Sequence, residues 1–226
     1  MAATIAHEIN NPLEAVTNLL FITNNAKDME SVRQYLGLAD AELERIAHIT
    51  RQSLGFYRES NAPALTSVNA VLDSAVDLLK NKIKAKSAVI QKQWDGDVQV
   101  TAVAGELRQV FSNLLANSLD AIDEKGTIKL RVSTGAAFKN GDRCVRVTVA
   151  DNGKGISASS RQRLFQPFFT TKGTVGTGLG LWVSKEIIEK HGGTIRVRSS
   201  TDGGRRGTIV LPAEPAEAAR SQSAGA

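Results

Sequence analysis

The stretch AHEINNPL near the N-terminus combines an imidazole, a carboxylate and an amide within about two helical turns. The apolar residues around it follow a helical period, so Ile5 and Ile9 fall on the buried stripe and His7 on the exposed face. Glu8 is adjacent to His7, and Asn11 lies one turn further along the same face. An exposed imidazole can act as a nucleophile or a base near neutral pH, although an ordinary solvated histidine is the alternative.

Pro12 interrupts this helical pattern one turn after Glu8. Proline lacks an N–H and its ring clashes with the carbonyl four residues earlier, so the sequence predicts a bend beside His7. Such a bend would leave His7 protruding from the helix. The alternative is a helix kink at the surface that has no functional role.

Two asparagines in the stretch NLLANSLDAI, Asn113 and Asn117, are four residues apart and therefore project from one helical face. Asparagine is a weak helix former, so this pair indicates a specific role. Amide oxygens suit a Mg²⁺ ion that leaves most of its coordination sites to phosphates. The alternative is that the two asparagines cap a helix or lie in the core with their hydrogen bonds satisfied.

The stretch ADNGKGI directly follows a strand-like pattern and places Asp151 at the end of that strand. Gly153 and Gly155 permit a positive φ or a close backbone approach. A buried carboxylate at this position could accept a hydrogen bond from an adenine amine. A plain turn is the alternative, and it is the one that the segment by itself favours.

Three glycines, Gly176, Gly178 and Gly180, lie at the mouth of a predicted helix, where backbone N–H groups suit phosphate oxygens. A glycine-rich loop is weak evidence by itself. This loop follows the stretch PFFTTK rather than a buried strand and lacks the Gly-Lys-Ser/Thr of a P-loop. The nearby phenylalanines, 165, 168 and 169, fit either a hinged lid or a core cluster.

The composition narrows the class of protein. We expect no membrane span, because no run of about eighteen apolar residues occurs. We also expect no secretory signal, because Glu8 and two asparagines interrupt the apolar residues near the start. The single Cys144 fits a core position in a reducing compartment. Residues 1–63 carry 5 basic and 8 acidic groups, whereas residues 64–226 carry 23 and 15. This split indicates two modules, of which the positive one favours a polyanionic ligand without resembling a nucleic-acid arm.

Residues 1–59 are predicted to form a helical hairpin. Apolar residues recur at alternating spacings of four and three along both halves of this segment. The apolar stripe is wider than a two-stranded coiled coil needs, so one hairpin cannot bury it. Two hairpins in a four-helix bundle could, which predicts a homodimer through residues 1–59.

Residues 67–212 are predicted to form an α/β sandwich, with helices on one face of a mostly antiparallel sheet. Alternating patterns indicate strands in AVIQKQW, TIKLRVST, RCVRVTVAD, GGTIRVRSS and GTIVLP, and helical periods cover residues 68–83, 106–124, 159–165 and 179–190. Residues 60–66 read as a linker, and the tail 213–226 is predicted to be disordered.

Together these stretches resemble the boxes of sensor histidine kinases in two-component signalling. AHEINNPL resembles the H box, NLLANSLDAI the N box, DNGKGI and GTGLGLWVSKEIIEKHGG the glycine boxes, and LFQPFFTTK the F box. The boxes occur in the family's order and span residues 2–212. The H and F boxes are most similar to the nitrogen-regulation and oxygen-sensing subfamily. The resemblance implies a dimeric phosphotransfer domain followed by an ATP-binding domain of the Bergerat fold.

The resemblance also implies roles for the residues of the H box. His7 matches the phosphoacceptor, and Glu8 matches the acid that helps to activate it. Asn11 matches the position that orients a hydrolytic water in members with phosphatase activity.

Further roles follow for the nucleotide site. Asn117, with Asn113, matches the Mg²⁺ ligand, and Asp151 matches the adenine-binding aspartate. Many members carry a basic residue where this chain has Asp120, so we expect Lys172 to offset the phosphate charge instead. The nucleotide-loop glycines are matched by Gly153, Gly155, Gly176, Gly178 and Gly180, and a threonine near the adenine by Thr208.

The expected activity is therefore autophosphorylation of His7 from Mg-ATP, followed by transfer to an aspartate of a response-regulator receiver domain. We expect a cytoplasmic fragment with no contact to membrane or nucleic acid, although the resemblance leaves open a membrane anchor in the full-length protein. The alternatives are a Bergerat-fold ATPase that drives conformational change and a non-catalytic scaffold. The apolar stripe of the hairpin and the presence of His7 argue against the conformational ATPase. The intact nucleotide-site boxes argue against the non-catalytic scaffold.

Overall fold

A computed structural model describes residues 2–26, 28–54, 62–136, 143–171, 178–199 and 203–213, with the side chains of residues 2–9, 44–45, 47–54, 136 and 158 outside the description. The chain divides into two compact units, a helical one built on residues 1–58 and a larger one that contains most of the remaining chain. Among the described residues, none of the helices combines the length and the apolar content that a membrane span requires.

The first unit is a helical hairpin, as the sequence predicts. Helix α1 (Ala2–Asn24) continues through Pro12 and packs against α2 (Met29–Leu54). Val16 and Ala39 are buried along the seam. Asp28 begins α2, because its two carboxylate oxygens accept hydrogen bonds from the N–H and the hydroxyl of Ser31, each at 2.8 Å.

Much of the apolar surface of this hairpin is exposed. Leu13 and Leu20 of α1 keep 44% and 46% of their surface exposed, and Leu36 and Leu43 of α2 keep 43% and 47%. A single hairpin therefore leaves a stripe of leucines on the outside, as its wide apolar pattern predicts.

The second unit is built on a five-stranded sheet with the strand order β2-β4-β5-β7-β6. Its strands are β2 (Val89–Trp94), β4 (Thr127–Ala136), β5 (Arg143–Asp151), β6 (Thr194–Ser199) and β7 (Arg205–Pro212). The β2–β4 pair is parallel and the other pairs are antiparallel, so the sheet is mostly antiparallel, as predicted. The single cysteine, Cys144, is 1% exposed near the start of β5, which agrees with a core position.

One face of this sheet carries helices α3 (Val68–Leu78), α5 (Ala104–Ala121) and α7 (Gly180–Lys190), with α5 packed between the other two. Short helices α4 (Lys80–Ala85) and α6 (Ala158–Arg161) complete the unit. The core between helices and sheet contains the largest fully buried side chains, including Leu72, Phe111, Leu115, Leu119, Ile128, Ile188 and Ile209. This two-layer α/β sandwich is the predicted architecture.

Two local features differ from the predicted elements. Strand β1 (Ala64–Ser67) begins inside the expected linker 60–66, because it pairs with a short strand, β3 (Gln99–Ala102). The helix expected over residues 68–83 is divided at Leu79 into α3 and α4. The hydroxyl of Ser67 accepts a hydrogen bond from the N–H of Ala70 and so fixes the start of α3.

Candidate functional site

The carboxylate of Asp151 lies at the end of β5 and is 6% exposed. The Ser118 hydroxyl on α5 donates to its Oδ2 at 2.8 Å. The N–H of Gly153 donates to its Oδ1 at 3.1 Å. Strand β5 and helix α5 thus fix a buried carboxylate at the carboxyl end of a central strand, where the sequence places it.

The backbone after Asp151 passes so close to its neighbours that side chains are excluded. A Cβ on Gly153 would lie 2.4 Å from the carbonyl oxygen of Ala121, and one on Gly204 would lie 1.9 Å from the carbonyl oxygen of Asp151. Gly204 also has a φ of +80°. These two glycines let the loops after β5 and before β7 meet at the carboxylate.

Arg205, like Ser118, contacts the Asp151 carboxylate without having been expected from the sequence. Its backbone N–H donates to Oδ1 of Asp151 at 3.1 Å, and its Nε lies 3.6 Å from Oδ2. Its guanidinium also donates to the backbone carbonyl of Asn117. Arg205 therefore connects the Asp151 carboxylate to the asparagine helix α5. The only local sign of this role in the sequence is that Arg205 directly follows the two glycines of GGRRG.

Asn113, one turn before Asn117 on α5, faces the start of α7. Its amide nitrogen donates to the carbonyl of Gly180 at 3.0 Å and to the hydroxyl of Ser184 at 3.2 Å. These contacts orient the amide. Gly178, with a φ of +66°, precedes α7 and would clash with the Phe168 carbonyl carbon at 2.3 Å if it carried a Cβ.

Asp120, near the C-terminal end of the asparagine helix, has a cation beside it. Asp120 forms an ion pair of 2.5 Å with Lys82 of α4. Its negative charge is therefore offset by Lys82. Arg205 is a second cation close to the asparagine helix, whereas Lys172, the residue expected to offset phosphate charge, lies outside the described residues.

Thr208 does not lie where the sequence analysis expected it. On β7 it pairs with Thr148 of β5, and both side chains line the sheet face opposite the helices. Asp151 shares the other, helix-covered face with Val149. Successive residues of a strand point to opposite faces, so the side chain of Thr208 faces away from the Asp151 carboxylate.

The remaining predicted site residues are placed only in part. Gly155 has a φ of +70° and Asn11 is exposed on α1. His7 and Glu8 lie in α1, with their side chains outside the described residues. Gly176 lies outside the described residues altogether.

Two known protein families match the sequence, one over the α/β sandwich and one over the helical hairpin. "Histidine kinase-, DNA gyrase B-, and HSP90-like ATPase" matches residues 102–215, which contain the Asp151 site. The chain belongs to this ATPase family. "His Kinase A (phospho-acceptor) domain" matches residues 1–61, which contain His7. The chain is thus the catalytic core of a two-component sensor histidine kinase, with the Bergerat fold in its ATP-binding domain.

Curated histidine kinases are similar to the chain over nearly all of its length. The signal transduction histidine-protein kinase AtoS of Escherichia coli is 32% identical over 217 residues, which cover 95% of this chain and 35% of AtoS. The C4-dicarboxylate transport sensor protein DctB of Rhizobium meliloti is 37% identical over 213 residues, which cover 90% of this chain and 33% of DctB. The chain thus spans about a third of the length of these two relatives.

A solved histidine kinase structure has the same fold. The crystal structure of histidine kinase ThkA in complex with response regulator protein TrrA superposes with a TM-score of 0.67 at 27% identity. The superposition covers 95% of this chain and 61% of the ThkA chain. The prediction of a sensor histidine kinase core from the five boxes is confirmed.

Proposed function

We propose that the protein transfers the γ-phosphoryl group of Mg-ATP to His7 and then passes it to an aspartate of a response regulator. The observation that carries this proposal is the buried Asp151 carboxylate, held at the end of β5 beside the asparagine helix. A phospho-acceptor domain with His7 precedes this ATPase domain in the same chain. Donor site and acceptor are therefore parts of one molecule.

Asp151 is the candidate for adenine recognition. Its carboxylate can accept a hydrogen bond from the exocyclic amine of adenine, whereas guanine has a carbonyl at the corresponding position. A hydrogen bond to a buried charged acceptor contributes about 1.5–3 kcal/mol. Gly153, Gly155 and Gly178 give the backbone the close approaches that a nucleotide-binding loop needs.

Asn113 and Asn117 are the candidates for holding Mg²⁺. The amide nitrogen of Asn113 is engaged by Gly180 and Ser184, so its oxygen is the atom that remains for a cation. The described residues contain no cluster of His, Cys, Asp and Glu that could form a metal site by itself. This fits an ion held by amide oxygens together with phosphate and water. When bound, Mg²⁺ neutralises charge on the phosphates.

His7 is the proposed nucleophile. A ring nitrogen of the neutral imidazole forms the new N–P bond while the bond between the γ-phosphorus and the bridging oxygen of ATP breaks, which releases ADP. The imidazole must lose one proton, and Glu8 is the adjacent base that can accept it. The missing N–H of Pro12 removes the hydrogen bond to the Glu8 carbonyl, so the helix is weakest beside the acceptor.

The proposed partners are a second copy of the chain and a response-regulator receiver domain. The exposed leucines of α1 and α2 are the surface that a second hairpin would cover. ThkA, a related kinase, has been crystallised with the response regulator TrrA. By analogy we propose that phosphorylated His7 is presented to a receiver aspartate.

The test is incubation of the full chain with γ-labelled ATP and Mg²⁺, scored for an acid-labile and base-stable label. We expect His7→Ala to abolish the label and to leave ATP binding within about 3-fold, because His7 is not part of the nucleotide site. His48→Ala is the matched control on α2 and should retain the label.

A label that survives in His7→Ala would contradict the proposal. His191 would be a poor substitute acceptor, because its side chain is 5% exposed. The N–H of Val103 lies 3.0 Å from its Nε2, and the Ile187 carbonyl lies 2.8 Å from its Nδ1. Both ring nitrogens are therefore engaged.

A further inference from the structure

The face of the five-stranded sheet opposite the helices is strongly cationic. Buried and outward-facing positions alternate along β4, β5, β7 and β6. Among the outward-facing positions of these strands, as far as they are described, none carries a carboxylate. The cations at these positions, which we call the basic face, are Lys129, Arg131, Arg146, Arg196, Arg198 and Arg206.

Two arginines of the basic face oppose each other directly. Arg198 of β6 and Arg206 of β7 are register partners in an antiparallel pair. Like charges at directly opposite positions destabilise a sheet. Among the described residues, no carboxylate forms an ion pair with either of them, whereas Asp95 lies 3.7 Å from the guanidinium of Arg131. The sheet itself gives no reason for this arrangement, but an anion between the two guanidinium groups would.

Four cations of the basic face, Lys129, Arg131, Arg146 and Arg206, line a shallow concavity of about 630 Å³. Its floor contains the small side chains of Thr148, Ala150 and Thr208, and the two threonine hydroxyls can donate hydrogen bonds. The register aligns Arg131, Thr148, Thr208 and Arg196 in one row across four strands. Strands lie about 4.8 Å apart, so the two arginines at the ends of this row are separated by roughly 14 Å. A ligand that spans the row is longer than a single phosphate group.

We propose that the basic face docks an acidic, glutamate- or aspartate-rich segment of a partner protein. Five of its six cations are arginines, whose planar fork pairs with carboxylates through two parallel hydrogen bonds. None of the described side chains that line the concavity is aromatic, so among them stacking of nucleic-acid bases has no platform and anchoring in a lipid interface has no aromatic residue. A flat bilayer would also not reach the threonine floor.

This docking surface is independent of the proposed nucleotide site. Thr208 and Arg206 of the basic face lie on the side of the sheet opposite Asp151, which faces α5. A segment bound to the basic face therefore leaves Asp151 and Asn113 accessible. Nucleotide binding and docking can be lost separately, which makes the two proposals separable by experiment.

The experiment measures the binding of a fluorescein-labelled peptide of ten glutamates to the full chain by fluorescence anisotropy at low salt. Arg198→Glu/Arg206→Glu should weaken binding by at least about 10-fold, because it replaces attraction by repulsion at the two directly opposed arginines of the face. The control Lys80→Glu/Lys84→Glu changes the net charge equally on α4 and should weaken binding by less than about 3-fold. Both double variants should bind ATP within about 2-fold of the parent.

Several outcomes would overturn the proposal. Equal weakening in both double variants would show that net charge alone attracts the peptide, and loss of ATP binding in the arginine variant would make the nucleotide the ligand of this face. A parent that binds phosphatidylserine vesicles or a single-stranded oligonucleotide through these arginines, but not the peptide, would assign the face to lipid or nucleic acid. If the parent binds none of these three probes, the proposed docking role of the basic face is rejected.

A further variant tests the nucleotide site separately. Asp151→Asn should lose ATP binding and retain peptide binding. If it retained ATP binding, only the proposed nucleotide site would be contradicted.

Discussion

Arg205 and Arg206 are neighbours in sequence with opposite environments. The side chain of Arg205 is 21% exposed and contacts the Asp151 carboxylate and the Asn117 carbonyl, whereas Arg206 is exposed on the basic face. Arg205→Met should destabilise the α/β unit by about 1–3 kcal/mol, because it leaves a buried carboxylate without its cation and a carbonyl without its donor.

The matched control is Arg206→Met, which should change stability by less than about 0.5 kcal/mol. Tryptophan fluorescence during urea unfolding is a suitable measurement, because both tryptophans, Trp94 and Trp182, lie in the α/β unit. If both substitutions had the same effect, the contacts of Arg205 would not contribute to stability.

Substitution of Asn11 can distinguish a protein that acts only as a kinase from one that also dephosphorylates its response regulator. We propose that its exposed amide positions a water molecule, since an amide can both donate and accept but cannot take up a proton. Asn11→Ala should therefore retain most of the His7 label and slow regulator dephosphorylation by about 10- to 100-fold. Both rates should be measured on the same dimeric preparation. An unchanged dephosphorylation rate would remove the role of Asn11.

The start of α2 is sensitive to acid through the Asp28 carboxylate. The hydrogen bonds from the N–H and hydroxyl of Ser31 hold the pKa of Asp28 below its ordinary value of 3.8. Because this pKa is lower in the folded than in the unfolded chain, the cap stabilises the helix above about pH 4. That stability is lost as the pH falls through the folded-state pKa.

Asp28→Ala should accordingly lower the melting temperature of the hairpin by a few degrees at pH 7 and by much less near pH 3. Circular dichroism at 222 nm follows the helices, and tryptophan fluorescence should show no change in the α/β unit. Asp40→Ala, which removes the same charge from an exposed position within α2, is the control. A pH-independent difference would exclude the cap as its cause.

Most helices and strands could be predicted from the sequence, and those that could not differ for physical reasons. The helical hairpin and the five strands of the main sheet follow from apolar periods, because each element buries one face. Strand β1 has only four residues and no clear alternation, so its pairing with β3 was not predictable. Thr208 shows the sensitivity of strands to register, because a strand position one residue away faces the other side of the sheet.

Arg205 could not be assigned to the site from sequence for a related reason. Its contact with Asp151 depends on the pairing of β7 beside β5 and on the close approach of Gly204. Neither the register nor this approach is visible in a local pattern. Asp151 and Asn113 were identifiable because their roles depend on local spacing at the end of a strand and on a helix face.

At the scale of the whole molecule, the exposed leucines of the hairpin predict association. Two leucines transferred from water to a bundle core contribute about 3–6 kcal/mol. Leu36→Glu/Leu43→Glu should therefore weaken dimerisation by at least about 100-fold, which sedimentation velocity would measure as a shift to monomer.

Leu65→Glu/Leu78→Glu provides the control, because these leucines are 37% and 66% exposed in the other unit. This control should remain dimeric, and circular dichroism should show intact helices in both variants. A monomeric control, or a dimeric Leu36→Glu/Leu43→Glu variant, would place the association surface elsewhere than on the hairpin.

The burial of Cys144 gives this protein an internal reporter. It is the single thiol in the chain, and at 1% exposure an alkylating reagent can reach it only when β5 opens. The rate of thiol labelling thus measures the frequency of that opening without any introduced dye. A nucleotide that binds only the closed sheet slows the labelling in proportion to its saturation. Labelling rates with and without ATP would therefore give the free energy by which nucleotide binding holds the sheet closed, in the unmodified protein.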